Sequence, residues 1–294
     1  MLRVGDNPFR EPVERFGPYI VRGRLGDCVH VAEGPDGPAE LRLYALDPRS
    51  DVLCARFENE MHGLARLLRV TAHPAIRPIC AVGTLGDTGW IAAPPFPGLT
   101  LSEWCNETPR PWSDVLAVLC AVGEAILAMH EVGLLVTELA AGDIRVDLVS
   151  QPQLDVAHAA ALRLAAHRTQ SDDDLREGAA EDWHVPLQGL RYIAPESLCG
   201  MSASLRMEQF VFSAVAWEAL HQSPPFTVTG PAAHFRAITT GQIVAPPTSI
   251  GVPPRIRRAL ARGLAADPAM RWPSLRDLLA ALAPHRGMFG GWGR

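Results

Sequence analysis

The chain has 294 residues, enough for one large domain or for two lobes around a shared core. With 48% hydrophobic and 20% charged residues, its composition is that of a globular protein and excludes a disordered one. The formal net charge of -5 excludes a dedicated nucleic-acid binder, which needs a basic surface to release counterions from phosphates.

The chain contains no lysine, because all 27 of its basic residues are arginines. This absence excludes chemistry that needs an amine nucleophile or a lysine that clamps phosphate. The six cysteines are scattered singly, without a Cys-x-x-Cys pair or a histidine at metal-ligand spacing. We interpret them as small buried side chains in a reducing compartment.

Targeting signals are not evident in the sequence. The first residues include an acid and prolines where a secretory signal needs an apolar run. The most apolar stretch, near Val115 to Leu135, is interrupted by Glu124, His130 and Glu131. We therefore expect no membrane span and a cytoplasmic location.

The first third of the chain is predicted to form strands and one helix. Short apolar and β-branched runs between Gly, Pro and Asp predict strands from Tyr19 to Leu46. Apolar residues in 51–68 recur at the spacing of one helix face, and residues 76–95 return to short strand-like runs. Three prolines in residues 94–98 break regular structure and predict a connection between two lobes.

Helical periodicity dominates the remainder of the chain. An acidic segment, residues 171–182, is polar enough to form a solvated loop. The predicted fold is α+β, with a small β-rich lobe that contains one helix and a larger, mainly helical lobe. The predicted helices are Trp112 to Val132, Phe210 to Leu220, Pro231 to Thr240, Pro254 to Ala265 and Ser274 to Leu282.

Two segments of the second half carry a family resemblance. The first, Gly189 to Glu196, ends on Ala194-Pro195-Glu196 and resembles the end of a protein-kinase activation segment. An apolar run and Pro225-Phe226 follow it, like the buried helix and turn of bacterial serine/threonine kinases. The second, Leu264 to Trp272, looks like the late Asp-Pro-x-x-Arg element of that family. The sequence thus resembles these kinases, and the resemblance implies their two-lobed fold.

The resemblance covers about residues 17–284 and implies a division of the chain. Residues 1–16 form an N-terminal extension, 17–93 the small lobe and 94–98 the hinge. Residues 99–284 form the large lobe and 285–294 a flexible tail. It also implies that Arg271 holds Glu196, because an arginine fork matches a carboxylate with two hydrogen bonds.

The small lobe departs from the family where ATP would bind. Residues 22–29 keep two glycines of the phosphate loop, and Asp27 would bring negative charge toward a triphosphate, so an ordinary hairpin is favoured. Alternation places Arg42 and Tyr44 on one strand face, and either stands where the family has its lysine. Glu60 fits the helix glutamate that partners this lysine, or is one charge on a solvated helix face.

The catalytic loop has the family's frame with different residues. Val136 and Thr137 stand where His-Arg belong, Glu138 stands for the catalytic Asp, and Asp143 stands for the Asn. The carboxylate of Glu138 can still accept a proton, but its extra methylene moves it by about an ångström, a misplacement that can cost about a hundredfold in rate. We interpret Glu138 and Asp143 as degenerate positions.

The metal-binding Asp-Phe-Gly is also replaced. A gap-free alignment places residues 156–158 there, whereas deleting one loop residue places Asp155 at the Asp. Under the alternative that the chain is an active enzyme, Asp143 and Asp155 would share a Mg²⁺ ion, because carboxylate oxygens are the ligands that this ion accepts. Pro94 and Pro95 also occupy the stretch whose backbone bonds the adenine in the family.

These substitutions favour a pseudokinase, a non-catalytic scaffold or regulator, over an enzyme. Arg42, Tyr44, Glu60 and Asp155 would then be a vestigial nucleotide site, with no cofactor expected, whereas Glu196 and Arg271 would be structural. A protein partner is expected, either an active kinase or another signalling protein, and no nucleic acid. The alternatives are a divergent active serine/threonine kinase that uses ATP and Mg²⁺, and a nucleotide or ligand sensor without turnover.

Overall fold

The computed structural model describes residues 14–26, 28–47, 51–166, 191–227, 230–246 and 251–283. Asp27, the predicted acidic loop (171–182), the tail (285–294) and residues 1–13 of the extension lie outside these ranges. The chain divides into two compact units. Of the described residues, unit 1 takes those up to Arg69, Pro78–Phe96 and 160–166, and unit 2 takes the others. The main boundary, between Phe96 and Pro97, falls inside the range predicted as a hinge.

Unit 1 is built on a six-stranded antiparallel sheet with the strand order β1-β2-β3-β4-β6-β5. Short turns join sequential strands, which is why neighbours along the chain pair in opposite directions. The sheet begins at Arg15, and its first strand pairs with the residues that follow Gly17. The strands are β1 (Arg15–Phe16), β2 (Tyr19–Arg24), β3 (Val29–Gly34), β4 (Gly37–Ala45), β5 (Ala81–Leu85) and β6 (Thr88–Ala93).

The strand β4 separates the two sides of unit 1. Its residues Ala39 and Leu41 pack into a core cluster with Tyr19 and Trp90, whose rings lie 5.8 Å apart. The even-numbered residues of β4 face the other side of the sheet, because side chains alternate along a strand. There Tyr44 packs on Phe57 of the helix α1 (Asp51–Thr71), with ring centroids 5.9 Å apart. The helix predicted for residues 51–68 is therefore present and extends three residues further.

Unit 2 contains the helices that the apolar spacing predicts, with ends that differ by a few residues. It also has a three-stranded antiparallel sheet in the order β7-β8-β9. Its strands are β7 (Leu99–Thr100), β8 (Ile144–Val146) and β9 (Pro152–Leu154). Its main helices are α2 (Leu101–Glu107), α3 (Trp112–His130), α5 (Pro195–Leu198), α6 (Leu205–His221), α7 (Pro231–Thr239), α8 (Pro254–Gly263) and α9 (Leu275–Leu282), and α4 (Val156–Ala166) begins in it.

The core of unit 2 forms where α3, α6, α8 and α9 pack together. The closest approach lies between α6 and α8, where any side chain at Gly263 would collide with Ser213 Oγ. The helix α3 is the one described helix that is long and apolar enough, by length and composition, to cross a membrane. Half of its apolar window is buried within the structure, against α6 and α9.

Three helices listed above, α2, α4 and α5, were not predicted from the sequence. The helix α2 is short, but it begins with a capping box in which Thr100 and Glu103 satisfy each other's backbone N–H. The helix α4 occupies the residues that the resemblance assigned to a metal-binding loop. Its first residues belong to the candidate site.

Candidate functional site

In unit 1, the candidate site consists of charged residues on one face of β4. Arg42 and Glu40 are 9% and 3% exposed, and Arg42 Nε lies 3.7 Å from Glu40 Oε1. Because the two residues are two positions apart on a strand, their side chains share a face with Tyr44. The ring of Tyr44 packs on Phe57, so Arg42 supplies the positive charge at this face. The carboxylate of Glu40 lies beside Arg42.

The helix α1 uses its carboxylates within unit 1. Glu60, for which the sequence left open a partner of the lysine equivalent or a solvated helix face, pairs with Arg56 one turn earlier, at 2.7 Å from Nε to Oε1. This pair is partly exposed, as on a solvated helix face. Glu58 accepts hydrogen bonds from the backbone N–H and the hydroxyl of Thr84, at 2.9 and 2.6 Å. Glu58 therefore fastens α1 to β5.

The chain between β2 and β3 forms a hairpin. The N–H groups of Leu25 and Gly26 donate to the carbonyl of Val29, at 2.8 and 3.1 Å. Arg24 Nε donates to the carbonyl of Gly26 at 2.8 Å. The hairpin favoured by the sequence is therefore present in this stretch, with Asp27 itself outside the described residues.

In unit 2, a buried glutamate holds the loop that resembles a catalytic loop. Glu208 of α6 is fully buried, and its two carboxylate oxygens accept from the backbone N–H of Val136 and pair with His130 Nε2, each at 2.5 Å. A carboxylate that accepts two donors in the interior fixes both of them firmly. The framework of the loop is therefore preserved although Val136 carries no polar side chain.

The two loop positions interpreted from the sequence as degenerate, Glu138 and Asp143, differ in exposure. Glu138 lies at a bend with its side chain exposed. Asp143 is 6% exposed, and its Oδ2 accepts a hydrogen bond from the N–H of Ala140 at 2.8 Å across a 3₁₀ turn. Its carbonyl accepts from the N–H of Asp155 at 2.7 Å. Asp143 therefore shapes the loop that Glu138 belongs to.

Asp155 caps the helix α4, which begins at the next residue. Its Oδ1 accepts a hydrogen bond from the N–H of His158 at 3.1 Å, the contact that an N-cap residue makes with the third helical residue. The following residues, Val156 to Ala166, are rich in alanine and leucine and favour a helix. The chain after Asp155 is thus helical from its first residue.

The second oxygen of Asp155 faces a buried arginine. Arg77 Nε lies 3.4 Å from Asp155 Oδ2, and the two side chains are 3% and 6% exposed. The backbone supports this pair, since the N–H of Arg77 donates to the carbonyl of Leu154 at 2.9 Å and Leu154 N–H donates to Ala75 at 2.8 Å. Asp155 is therefore held by an ion pair and by a helix N-terminus at the same time.

The carboxylates that the sequence offered for Mg²⁺ make protein contacts in unit 2. Both oxygens of Asp155 face protein donors, and Oδ2 of Asp143 accepts a backbone N–H. A Mg²⁺ ion at these carboxylates would have to share their oxygens with the donors that they already face. In the part of the chain that the structure describes, no group of three or more His, Cys, Asp or Glu side chains is placed to hold a metal.

The predicted structural pair of unit 2 is present. Arg271 Nη1 and Nη2 donate to Oε1 and Oε2 of Glu196, at 2.5 and 2.8 Å, and Arg271 is 1% exposed. The same guanidinium donates to the carbonyls of Ala265 and Arg206, at 2.8 and 2.7 Å. One arginine therefore ties α5 to the N-terminus of α6 and to the loop after α8.

A further charged group surrounds the tyrosine that precedes α5. Arg191 Nη1 donates to Glu218 Oε1 at 2.6 Å. Tyr192 is buried beside the same carboxylate, and burial, followed by the negative charge of Glu218, raises the pKa of its hydroxyl above the usual value. Tyr192 therefore stays protonated at neutral pH.

Sequence reasoning missed three residues that decide the site: Glu40, Arg77 and Glu208. Glu40 and Arg77 each carry a charge inside an apolar run, and such a charge requires a partner once it is buried. Asp155 before an alanine-rich run was also a helix-start signal. None of these signals names the partner, because the partners are distant in sequence.

Sequence comparison finds similarity to bacterial protein kinases. Serine/threonine-protein kinase PknE of Mycobacterium tuberculosis is 26% identical over 277 residues, which are 91% of this chain and 46% of PknE. PkaB of Streptomyces coelicolor is 26% identical over 89% of this chain and 62% of PkaB. The chain thus spans less than two thirds of each of these two relatives. No protein-family model matches the sequence.

Solved structures show the same similarity at the level of the fold. The kinase domain of PknI from Mycobacterium tuberculosis superposes with a TM-score of 0.64 at 23% identity, covering 92% of this chain and 96% of that domain. A double mutant of that domain gives the same TM-score at 22% identity. The match extends over both units.

Proposed function

Since the chain has the protein-kinase fold and is related to bacterial serine/threonine kinases, we propose that it is a pseudokinase. It would act as a scaffold or regulator by binding a protein partner in the cytoplasm, either an active kinase or another signalling protein. The observation that carries the proposal is the state of Asp155, the carboxylate nearest in sequence to the metal-binding position.

The engagement of Asp155 supports the loss of metal binding. Releasing it for a metal would break the Arg77 pair and remove the N-cap of α4. An arginine left buried without its partner costs several kcal/mol, and a lost N-cap about 1 kcal/mol more. A metal ion must offset both costs before it contributes any binding.

Unit 1 supports the same proposal. In a kinase the phosphate-binding lysine pairs with a glutamate of the helix, whereas Arg42 has the carboxylate of Glu40 two positions away on its own strand, and the chain has no lysine. Binding a triphosphate beside Glu40 would place like charges close together in a buried setting.

The preserved framework supports a role in binding. The pair of Arg271 with Glu196 and the contacts of Glu208 hold the loops of unit 2 in place although the catalytic residue types have changed. A protein that keeps its fold after losing catalytic activity can still bind other proteins through its surface.

The test is calorimetric titration with ATP, with and without Mg²⁺, followed by an assay for transfer of the γ-phosphate to a generic protein substrate. We expect no Mg²⁺-dependent binding and no transfer. Metal-dependent transfer that is abolished in Glu138→Ala would falsify the pseudokinase proposal. The matched control is Glu131→Ala, since Glu131 is an exposed glutamate near the same loop.

A divergent active kinase is the second candidate, and the exposure of Glu138 is the observation that favours it. An exposed carboxylate at the catalytic-base position can accept a hydroxyl proton from a substrate. This candidate uses Arg42, Glu138, Asp143 and Asp155, and it requires ATP binding that depends on Mg²⁺. Stabilisation by nucleotide without turnover would instead identify a sensor.

A further inference from the structure

We propose that α8 is a docking surface for an acidic peptide segment of a protein partner. Arg255, Arg258 and Arg262 form a stripe along α8, and Arg257 lies beside it, next to Arg258 in the sequence; we call these four residues the arginine face. It lies within unit 2, and it goes beyond the proposed loss of catalysis because an active kinase could use it equally.

The arginine face is dense and has no acidic residue within it. Four of the ten residues of α8 are arginines, and the helix contains no Asp or Glu. Arg257, Arg258 and Arg262 are exposed, and Arg255 is partly exposed. Residues 255, 258 and 262 follow the spacing of one helix stripe and span about 10 Å. An extended or helical peptide can meet this stripe with three or four carboxylates.

No carboxylate of the described residues pairs with any of these four arginines. Arg255 donates to the carbonyl of Ala283 at 3.0 Å, Arg258 to that of Pro254 at 3.3 Å, and Arg262 to that of Met270 at 3.3 Å. A neutral carbonyl orients a guanidinium without cancelling its charge. The positive charge of the face is therefore uncompensated by these contacts.

The neighbouring acids are committed elsewhere. Asp267 accepts the N–H of Ala269 at 2.9 Å and caps a 3₁₀ turn. Asp277 accepts the hydroxyl of Ser274 at 2.6 Å in the first turn of α9. The side chain of Asp267 satisfies the N-terminus of a 3₁₀ turn, and that of Asp277 accepts from the cap residue of α9, so neither pairs with the arginine face.

The arrangement is unfavourable for α8 itself. The N-terminus of a helix carries partial positive charge, and Arg255 adds a full charge in the first turn, where no side chain caps the helix. The pairs 255/258 and 258/262 place like charges three and four residues apart, which is also destabilising. The adjacent α9 shows the favourable pattern, with Ser274 as its cap and Asp277 in its first turn. An anionic partner would relieve the repulsion in α8.

An acidic peptide suits this surface better than a nucleic acid or a membrane. A long nucleic acid would extend beyond the stripe of about 10 Å over a chain whose net charge is -5, whereas a short acidic segment can end within the stripe. The apolar residues of α8, Ile256 and Leu260, are buried, so the helix has no apolar face for a bilayer. Arg262 covers the ring of Trp272 at 4.2 Å, so that ring is not free to stack on a base.

The test measures binding of a fluorescein-labelled decaglutamate peptide to the full chain by anisotropy. The variant is Arg257→Glu with Arg258→Glu, because neither side chain bonds another element. The control is Arg66→Glu with Arg69→Glu on α1, which changes the net charge equally at two exposed arginines of unit 1. We expect the α8 variant to bind about tenfold more weakly and the control to change affinity less than about twofold.

The other results of the binding assay also support or overturn the arginine face as the docking surface. Weaker binding at higher salt supports the arginine face as the docking surface. An affinity of the neutral double variant, Arg257→Gln with Arg258→Gln, between those of the native chain and the glutamate variant also supports it. Equal losses in the two double variants, or no binding at 1 mM chain, would overturn it. Tighter binding of a ten-nucleotide single-stranded DNA or of phosphatidylserine vesicles than of decaglutamate would also overturn it. Melting curves of every variant show that it is folded.

Discussion

Unit 2 contains two buried arginines that each face a buried carboxylate. Arg271 meets Glu196 with two hydrogen bonds and donates to further carbonyls. Arg77 meets Asp155 through Nε alone, at 3.4 Å, and the other oxygen of Asp155 caps α4. The first pair uses the full fork of its arginine for one carboxylate, whereas in the second pair the carboxylate is divided between an arginine and a helix.

The difference lies in what each carboxylate would otherwise do. Glu196 has no expected chemistry beyond joining loops, so its pair keeps the role that the sequence predicts. Asp155 stands next to the expected metal-binding position, and its pair with Arg77 gives it a structural role instead. The ion pair of Arg271 with Glu196 therefore joins loops of the fold. The ion pair of Arg77 with Asp155 involves a carboxylate that is also a candidate metal ligand.

The largest expected effect comes from breaking the first pair. Arg271→Ala leaves Glu196 buried without a cation, and we expect a loss of about 4 kcal/mol in the free energy of unfolding. Urea unfolding followed by circular dichroism measures it. The control Arg276→Ala removes an exposed arginine from α9 and should cost less than about 0.5 kcal/mol. Equal effects of the two variants would contradict the assigned role of Arg271.

Breaking the second pair should cost about 3 kcal/mol, since Arg77→Met leaves Asp155 buried and charged. Asp155→Asn keeps an oxygen that can cap α4 but removes the charge. The double variant Arg77→Met with Asp155→Asn should therefore be more stable than Arg77→Met alone. Urea unfolding of the three variants gives the coupling energy. Strict additivity would show that the two side chains do not interact.

Acid should weaken unit 2 through a group outside both pairs. Burial, helped by the charge of Arg257, lowers the pKa of His221 from 6.5 to about 4. The unfolded chain takes up a proton below pH 6.5, whereas the folded chain does so only near pH 4. The stability present at pH 7 is thus lost as the pH falls, by about 2 kcal/mol at pH 5.

The variant His221→Phe isolates this contribution from the carboxylates. Its ring can still pack on Trp217, which lies 4.6 Å from the His221 ring. We expect its free energy of unfolding to fall less steeply than that of the native chain between pH 6.5 and 5. Identical slopes would mean that His221 does not titrate differently on folding.

The smallest effect is expected at an exposed pair of the same chemistry. Glu60→Gln removes the partner of Arg56 on α1, and we expect a loss of about 0.3 kcal/mol that disappears in 1 M salt. Comparing this value with those for Arg271 and Arg77 measures how burial amplifies one kind of ion pair. A loss above 1 kcal/mol would show that exposure is not the deciding variable.

Much of the fold could be predicted because it depends on local periodicity. The spacing of apolar residues located α1, α3, α6, α8 and α9 to within a few residues. The helix α4 was missed because the resemblance assigned its residues to a metal-binding loop, although Asp155 and an alanine-rich run were helix signals. Resemblance was reliable for the pair of Arg271 with Glu196, where both residue types are those of the family.

The candidate site was harder to predict. Alternation placed Arg42 and Tyr44 on one face of β4, but the partner of Arg42 on that face, Glu40, was overlooked. For Glu60 the sequence left open a pairing with the lysine equivalent and a solvated helix face, and the structure pairs it with Arg56 on a partly exposed face. A family alignment assigns positions, but the contacts at those positions depend on the residues that occupy them.

By itself, the sequence determined which residue types are available: no lysine, an altered catalytic loop, and an intact pair of family motifs around Glu196 and Arg271. Only the tertiary structure decided what the remaining charges do. Arg77 and Asp155 lie 78 positions apart, and they meet because β9 and the segment after α1 pair through their backbones. A buried charge must find a counter-charge wherever the packing places one, and that choice is made by the fold.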